Sequence, residues 1–413
     1  MRLRTGRIPK SATVVALAGT VGAIGLTGCA AEPDPGTVTV LNSATDTAEH
    51  QANQDFFDRC AAPLGLEVEQ ISVPADQVAS KALRMASSDS LTDILELDGS
   101  ELPQFAGTDG LRPIEEAGVD TSEFSESANM LGSYDGVQYG VARSVNSLAL
   151  IYNTELLAEA GLEPPATWDE LRETAAALTA GDTYGMAFSA SPNADGVYQF
   201  LPFFWSAGGD EAALDAGEGG AAALQLWKDL VDAGSASRSV VNWNQQDVND
   251  QFISGRAAMM INGPWQVPVL SGQDAVDWAV ATIPVPEAGQ EAVPPIGGTV
   301  MTVPKNEDDR EREENAARIL QCLNSEENQL AWGERVNNVP TREAAAQTYR
   351  EQNPRLAPFA DLVATARSRT AEVGTRWPVV GDALAGAFQS VLTGQSSPQD
   401  ALANAQRQAA AGE

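Results

Sequence analysis

From Thr37 onward, short β-branched or period-two runs alternate with stretches of helical spacing, and this alternation restricts the fold more than any other feature. Thr37-Val38-Thr39-Val40-Leu41 suits a buried strand, and Asn42 to Thr47 forms a polar loop that opens a helix. Leu66 to Ile71 alternates with period two, Val78 to Ala86 has helical spacing, and Thr92 to Leu97 returns as a strand ending in Asp98-Gly99. Such alternation predicts an α/β sheet, whose ligands gather at loops beyond the strands' carboxyl ends. Asp46 and Asp98 stand at two such ends.

Farther along, Tyr139 to Asn153 reads as mostly extended, and its second half is too apolar for a surface loop. Gly161 to Pro165 breaks the chain, and Thr167 with Glu170 forms a capping box for the next helix. A helix ends at Gly255, Ala257 to Ile261 is a strand, and Asn262-Gly263-Pro264-Trp265 turns into another element with proline in its first turn. Trp265 therefore stands at a strand-to-helix junction, where a ring can face a cleft. Ser397 and Pro398 begin a last capped helix.

The N-terminus reads as an export signal. Arg2, Arg4, Arg7 and Lys10 precede Thr13–Gly28, an uncharged run. Its 16 residues, at roughly 1.5 Å each, fall short of a roughly 30 Å hydrocarbon core. Leu26-Thr27-Gly28-Cys29 resembles the bacterial lipobox, which implies cleavage after residue 28, diacylation of Cys29, and a lipid-anchored linker over 29–36. An ordinary cleavage site before a cysteine is the alternative. No other segment is a candidate membrane span.

Charge narrows the function. The 413 residues carry 25 Lys and Arg against 57 Asp and Glu, a formal charge of -32, which argues against nucleic-acid or anionic-lipid binding by the folded part. Without residues 1–28 the balance is 21 basic to 57 acidic residues, or -36. A single histidine, His50, removes most zinc sites and histidine-based catalytic triads, although carboxylates could still hold a metal. With Cys29 lipidated, Cys60 and Cys322 remain, an even number in a compartment where disulfides survive. A bond between them is expected, with two separate buried thiols as the alternative.

The ordered landmarks resemble the extracellular solute-binding proteins of ABC importers, in the family 1 group similar to maltose-binding protein. The carrying pieces are Thr92-Asp93-Ile94-Leu95, Asn146 to Asn153 followed by Glu155-Leu156-Leu157, Pro164 to Leu171, Trp205 to Gly209, Phe252 to Trp265, Gly297-Gly298 before Val303-Pro304-Lys305, and Leu392-Thr393-Gly394 to Gln406. The resemblance implies a two-lobed α/β fold of the periplasmic-binding-protein type, class II, with a hinge and a ligand cleft between lobes that close like a flytrap. Lobe one is expected over 37–144 and 296–340, and lobe two over 145–295 and 341–413. Both Cys60 and Cys322 then fall in lobe one, which adds to the expectation of a bond. The implied partners are a small-molecule sugar, the transmembrane subunits of an ABC permease, and the membrane through the lipid anchor. The protein is expected to be a monomer, without metal, cofactor or catalytic residues.

Sugar hydroxyls donate and accept hydrogen bonds, and the C–H faces of the rings stack on aromatic side chains. Of eight tryptophans, Trp205, Trp243, Trp265 and Trp377 stand near expected loops, whereas Trp168 looks structural. The resemblance makes Trp265 the leading stacking platform; a core tryptophan is the alternative. Asp98 is an acceptor for ligand hydroxyls, unless it is a turn or cap residue. Asn146, in the hinge, offers both donor and acceptor, and Arg376 beside Trp377 resembles a late arginine pointed into the cleft. Gly298, next to Gly297, allows close backbone approach, and Asp46, Glu49 and Arg143 are further candidates. Leu97 stands near a position where maltodextrin binders often carry an aromatic, and Asn146 replaces an acid, so a ligand of one to three rings is expected over a long glucan. A glycerophosphodiester or other polyol is the second reading. A secreted glycoside hydrolase is the third, although the sequence has no nucleophile elbow or phosphate loop.

Overall fold

A computed structural model describes residues 36–88, 90–214, 218–272, 276–306 and 309–411; the signal segment and Cys29 lie outside them. Two sheets organise the chain. The first has five strands in the spatial order Glu67–Ser72, Thr37–Asn42, Ile94–Asp98, Thr299–Thr302, Gly140–Val141. The first three run parallel, and Thr299–Thr302 pairs antiparallel with both neighbours. The second sheet has the order Trp278–Ala281, Ala149–Asn153, Ala257–Asn262, Tyr184–Ala187. Here Ala149–Asn153 is antiparallel to both neighbours, and Ala257–Asn262 runs parallel to Tyr184–Ala187.

Period-two alternation decides what each strand of the first sheet faces. Val38 and Val40 enter the core beneath the helices Thr47–Ala61 and Arg310–Leu323, while Leu41 faces the opposite side. Ile94 joins Val38 and Val40; Leu95 and Leu97 join Leu41. Glu96, between those two leucines, is thereby turned toward the Thr47–Ala61 side. The expected disulfide is present: Cys60 and Cys322 are bonded with their Cα atoms 5.6 Å apart, tying these two helices together.

Local signals set the helix starts. Asp46 caps Thr47–Ala61, accepting from the N–H groups of Ala48 at 2.9 Å and Glu49 at 3.1 Å. Thr167 and Glu170 form the full capping box of Trp168–Leu178. Trp168 is buried with its indole N–H on the Pro284 carbonyl at 3.1 Å, the structural role expected of it. Ser397 accepts from the Asp400 N–H at 3.2 Å at the start of Pro398–Ala411, which packs on Trp377–Leu392. No helix among the described residues is long and apolar enough to cross a membrane.

Candidate functional site

Three segments meet where the chain passes between the sheets. Asn146 and Gly297 exchange backbone hydrogen bonds of 2.9 and 2.8 Å, and Ser144–Val145 pairs antiparallel with Val339–Pro340. Gly297 and Gly298 allow this crossing. A Cβ on Gly297 would lie 2.2 Å from the Tyr198 hydroxyl, and Gly298 has φ +140°, a conformation strained for any other residue. The Gly298 carbonyl accepts from the Gly99 N–H at 3.2 Å, linking the crossing to the turn after Asp98.

Two groups of side chains adjoin this crossing, and Asn146 belongs to both. In the first, Asp98 accepts from the Ser100 N–H at 2.9 Å and from the Arg369 guanidinium at 2.8 Å. Arg369 is 8% exposed and lies over the Tyr198 ring, 5.1 Å from its centroid. The Tyr198 hydroxyl reaches Asn146 Oδ1 at 3.4 Å and the Pro295 carbonyl at 3.3 Å. The half-buried Trp265 ring stands 6.3 Å from Tyr198, so an aromatic face lies next to donors and acceptors. Burial holds the Tyr198 phenol above its ordinary range. Burial and then the Asp98 charge push nearby Glu101 up to about 7.

The second group lines a cavity of about 160 Å³ in the first-sheet region. Glu49 and Asn53 come from the first helix, Glu96 from its strand, Arg143, Ser144 and Asn146 from the crossing, Gly298 and Thr299 from the return, and Trp332 from the helix Glu326–Val336. Arg143 is 5% exposed, its guanidinium stacked 3.7 Å from the Trp332 ring centroid and its Nη2 donating to Asn53 Oδ1 at 2.6 Å. Its Nη1 is buried with no hydrogen-bond partner among the described residues. Burial lowers Arg143 to about 10, opposed by the Glu96 and Glu49 charges. Glu96 is buried and raised by desolvation against the pull of Arg143. Desolvation, then Glu96 and Asp46, raise Glu49 at the exposed edge.

The sequence candidates divide accordingly. Asp98, Asn146, Gly298, Glu49, Arg143 and Trp265 come together around the crossing. Asp46 spends its carboxylate on the helix cap. Trp205 is the second-last residue of the helix Ala194–Ser206, next to a turn as expected, but it is only 4% exposed, with its indole N–H donating to Glu211 at 2.7 Å. The apolar run around it buries the ring. Trp377 is the first residue of Trp377–Leu392, buried, and shares a small cavity with Arg369. Trp243 is half-buried, and its carbonyl accepts from the Ser189 hydroxyl at 2.7 Å. Arg376 is exposed, and Arg369, seven residues earlier, is the arginine that meets Asp98.

Glu96, Tyr198, Arg369 and Trp332 were not singled out from sequence. Glu96 carried a usable signal, an acid inside the apolar run Ile94-Leu95-Glu96-Leu97, where burial demands a reason. Tyr198 and Trp332 sit in helices where an aromatic reads as core. Among the described residues no three His, Cys, Asp or Glu are grouped to hold a metal ion.

Two α/β bodies joined by chain crossings, with hydrogen-bonding side chains and an aromatic ring gathered beside them, define a two-lobed binding protein. Comparison with known proteins gives the family. A model of bacterial extracellular solute-binding proteins matches residues 55–358. A Brucella abortus protein that carries only the general name of binding protein is 28% identical over 281 residues, 66% of this chain and 67% of the relative. The crystal structure of the cyclic alpha-maltosyl-1,6-maltose binding protein from Arthrobacter globiformis superposes with TM-score 0.79 at 25% identity, covering 91% of this chain and 98% of that one. The GacH receptor of Streptomyces glaucescens, solved unliganded and with acarbose, gives 0.75 at 27% identity, covering 90% and 96%. The chain belongs to the bacterial extracellular solute-binding proteins, the family 1 binding components of ABC importers, as its ordered motifs implied.

Proposed function

We propose that the protein captures a carbohydrate of one to three rings between two closing lobes and hands it to the transmembrane subunits of an ABC permease. No bond is made or broken in this cycle. The observation that carries the reading is the convergence of Asp98, Arg369, Asn146 and Tyr198 beside the half-buried Trp265. Hydroxyls need acceptors and donors at once, and a sugar ring needs an aromatic face; this group supplies all three. Leu97 is buried in the core, so the strand end offers no second platform there for a long glucan.

The expected cycle joins lobe one (37–144 and 296–340) to lobe two (145–295 and 341–413) around the crossing, with ligand favouring the closed form because both lobes then contact it. A diacylated Cys29 holds the monomer at the outer face of the cell membrane, and the acidic surface keeps it off anionic lipid.

Calorimetry and thermal shift against mono-, di- and trisaccharides test the reading. A ligand at 100 times its dissociation constant stabilises by about 2.7 kcal/mol. Absence of heat, thermal shift and compaction in small-angle scattering with every carbohydrate tried would overturn it.

A further inference from the structure

Arg143 occupies an unusual position for a cation. Trp332 covers one face of its guanidinium, Asn53 fixes one terminal nitrogen, and the other terminal nitrogen is buried with no partner among the described residues. Leaving a buried charged donor unpaired is costly, so the position calls for an acceptor that the chain does not supply. Across the same cavity, Glu96 is buried and accepts from the Ser43 N–H, from the Ser43 hydroxyl at 3.5 Å and from the Thr299 hydroxyl, and Glu49 stands at the exposed edge. The cavity thus holds a buried donor in need of an acceptor, with the carboxyl groups of Glu96 and Glu49 facing the same space.

We propose that this cavity is an end subsite, which takes the terminal ring of a neutral, linear sugar through two adjacent hydroxyls shared between Arg143 and the Glu49/Glu96 carboxyl groups. The proposal rests on the carbohydrate reading above and refines it. A hydroxyl accepts from the guanidinium while donating to a carboxylate, so a vicinal diol satisfies both sides without bringing charge. A phosphate or carboxylate would suit Arg143 but stand beside two acids, and an ammonium would face the reverse conflict.

Size and placement supply the rest. About 160 Å³ is small beside the roughly 300–1,000 Å³ of ordinary small-molecule sites, which suits a single ring. The first helix, the Glu96 strand and the Trp332 helix wall it, and Asn146 stands between it and Tyr198. A linear sugar would seat its end ring beside Arg143 and pass Asn146 toward Tyr198 and Trp265. A sugar closed into a ring, such as the cyclic maltosyl-maltose named for the Arthrobacter globiformis relative, has no end to insert.

The test is calorimetry on the full processed protein with maltose, maltotriose and trehalose, with the cyclic sugars α-cyclodextrin and cyclic maltosyl-maltose, and with glucuronic acid, glucosamine and glycerol 3-phosphate. Neutral linear sugars should bind at least about 100-fold more tightly than cyclic or charged ones, the order expected for one buried charge-assisted contact. Arg143→Met should lower that affinity by about 100-fold, and Glu49→Gln, at the exposed edge where folding is not at risk, by about 10-fold. Cyclic sugars binding as tightly as linear ones, or linear affinity unchanged in Glu49→Gln, would overturn the end subsite and leave carbohydrate capture standing. Tightest binding by a charged probe would overturn its neutral chemistry. Failure of every carbohydrate would remove both readings.

Discussion

The two sheets are built from different materials. Around the second, Phe188, Phe200, Phe203, Phe204, Trp227 and Phe388 form a continuous aromatic cluster, with Trp227 surrounded by four rings at centroid distances of 4.3, 5.0, 6.0 and 5.8 Å. The helix side of the first sheet instead carries ions: Arg312 on Asp93 at 2.6 Å, Arg112 on Glu313 at 2.7 Å, and the Arg143 cavity. Buried ion pairs are weak sources of stability because desolvation offsets their attraction. The disulfide lies on this side, where a cross-link at a sequence separation of 262 adds stability that the ion pairs do not supply. One half thus packs chiefly through aromatic rings, while the other combines an apolar cluster with buried ion pairs and a covalent tie.

The contrast can be broken most severely in the aromatic cluster. Trp227→Ala should cost about 3–5 kcal/mol in denaturant unfolding, through lost burial and the cavity left behind. Since Trp227 touches neither side-chain group at the crossing, sugar affinity of the folded fraction should stay unchanged; a parallel loss of affinity would contradict the division of labour. Next, Cys60→Ala with Cys322→Ala should cost about 2–4 kcal/mol, and added reductant should lower the melting temperature of the parent protein but not of the double variant. Equal response of both would show that the tie does not carry the first-sheet region.

Smaller effects sharpen the picture at the crossing. Asp98→Asn removes the carboxylate facing the buried Arg369 and should cost about 1 kcal/mol, since Asp98 itself is partly exposed. A double-mutant cycle with Arg369→Ala measures that coupling, and additivity of the two changes would deny it. The smallest effect is in pH. Glu101 is raised to about 7 by burial and the Asp98 charge, so the native state holds a proton that the unfolded chain has released between about 4.5 and 7. Stability from this group is therefore full below about 4.5 and lost as pH rises through 7, and Glu101→Gln should flatten that slope in melts across the range.

Much of the fold was legible from short stretches. The capping box at Thr167 and Glu170, the strand Ala257–Asn262 and the extended passage through Asn153 depend on neighbours a few residues apart, and the structure has them where the sequence put them. The site was legible in part. Asp98, Asn146 and Trp265 stand at strand ends and turns, where an exposed functional group has few structural duties. Arg369, Tyr198 and Glu96 had no such local mark, or had one that read as core.

Sequence by itself determined the alternating α/β pattern, the helix caps and the ordered motifs of the family, because caps and periodicity are short-range chemistry. Tertiary structure alone decided that Arg369 rather than Arg376 meets Asp98, that Trp205 belongs to the core, and that Arg143 lies stacked on Trp332 with one nitrogen unpartnered. Those outcomes depend on residues between 49 and 369 being carried together by repeated crossings between two sheets. No local pattern encodes such a meeting, since it follows from how whole elements pack.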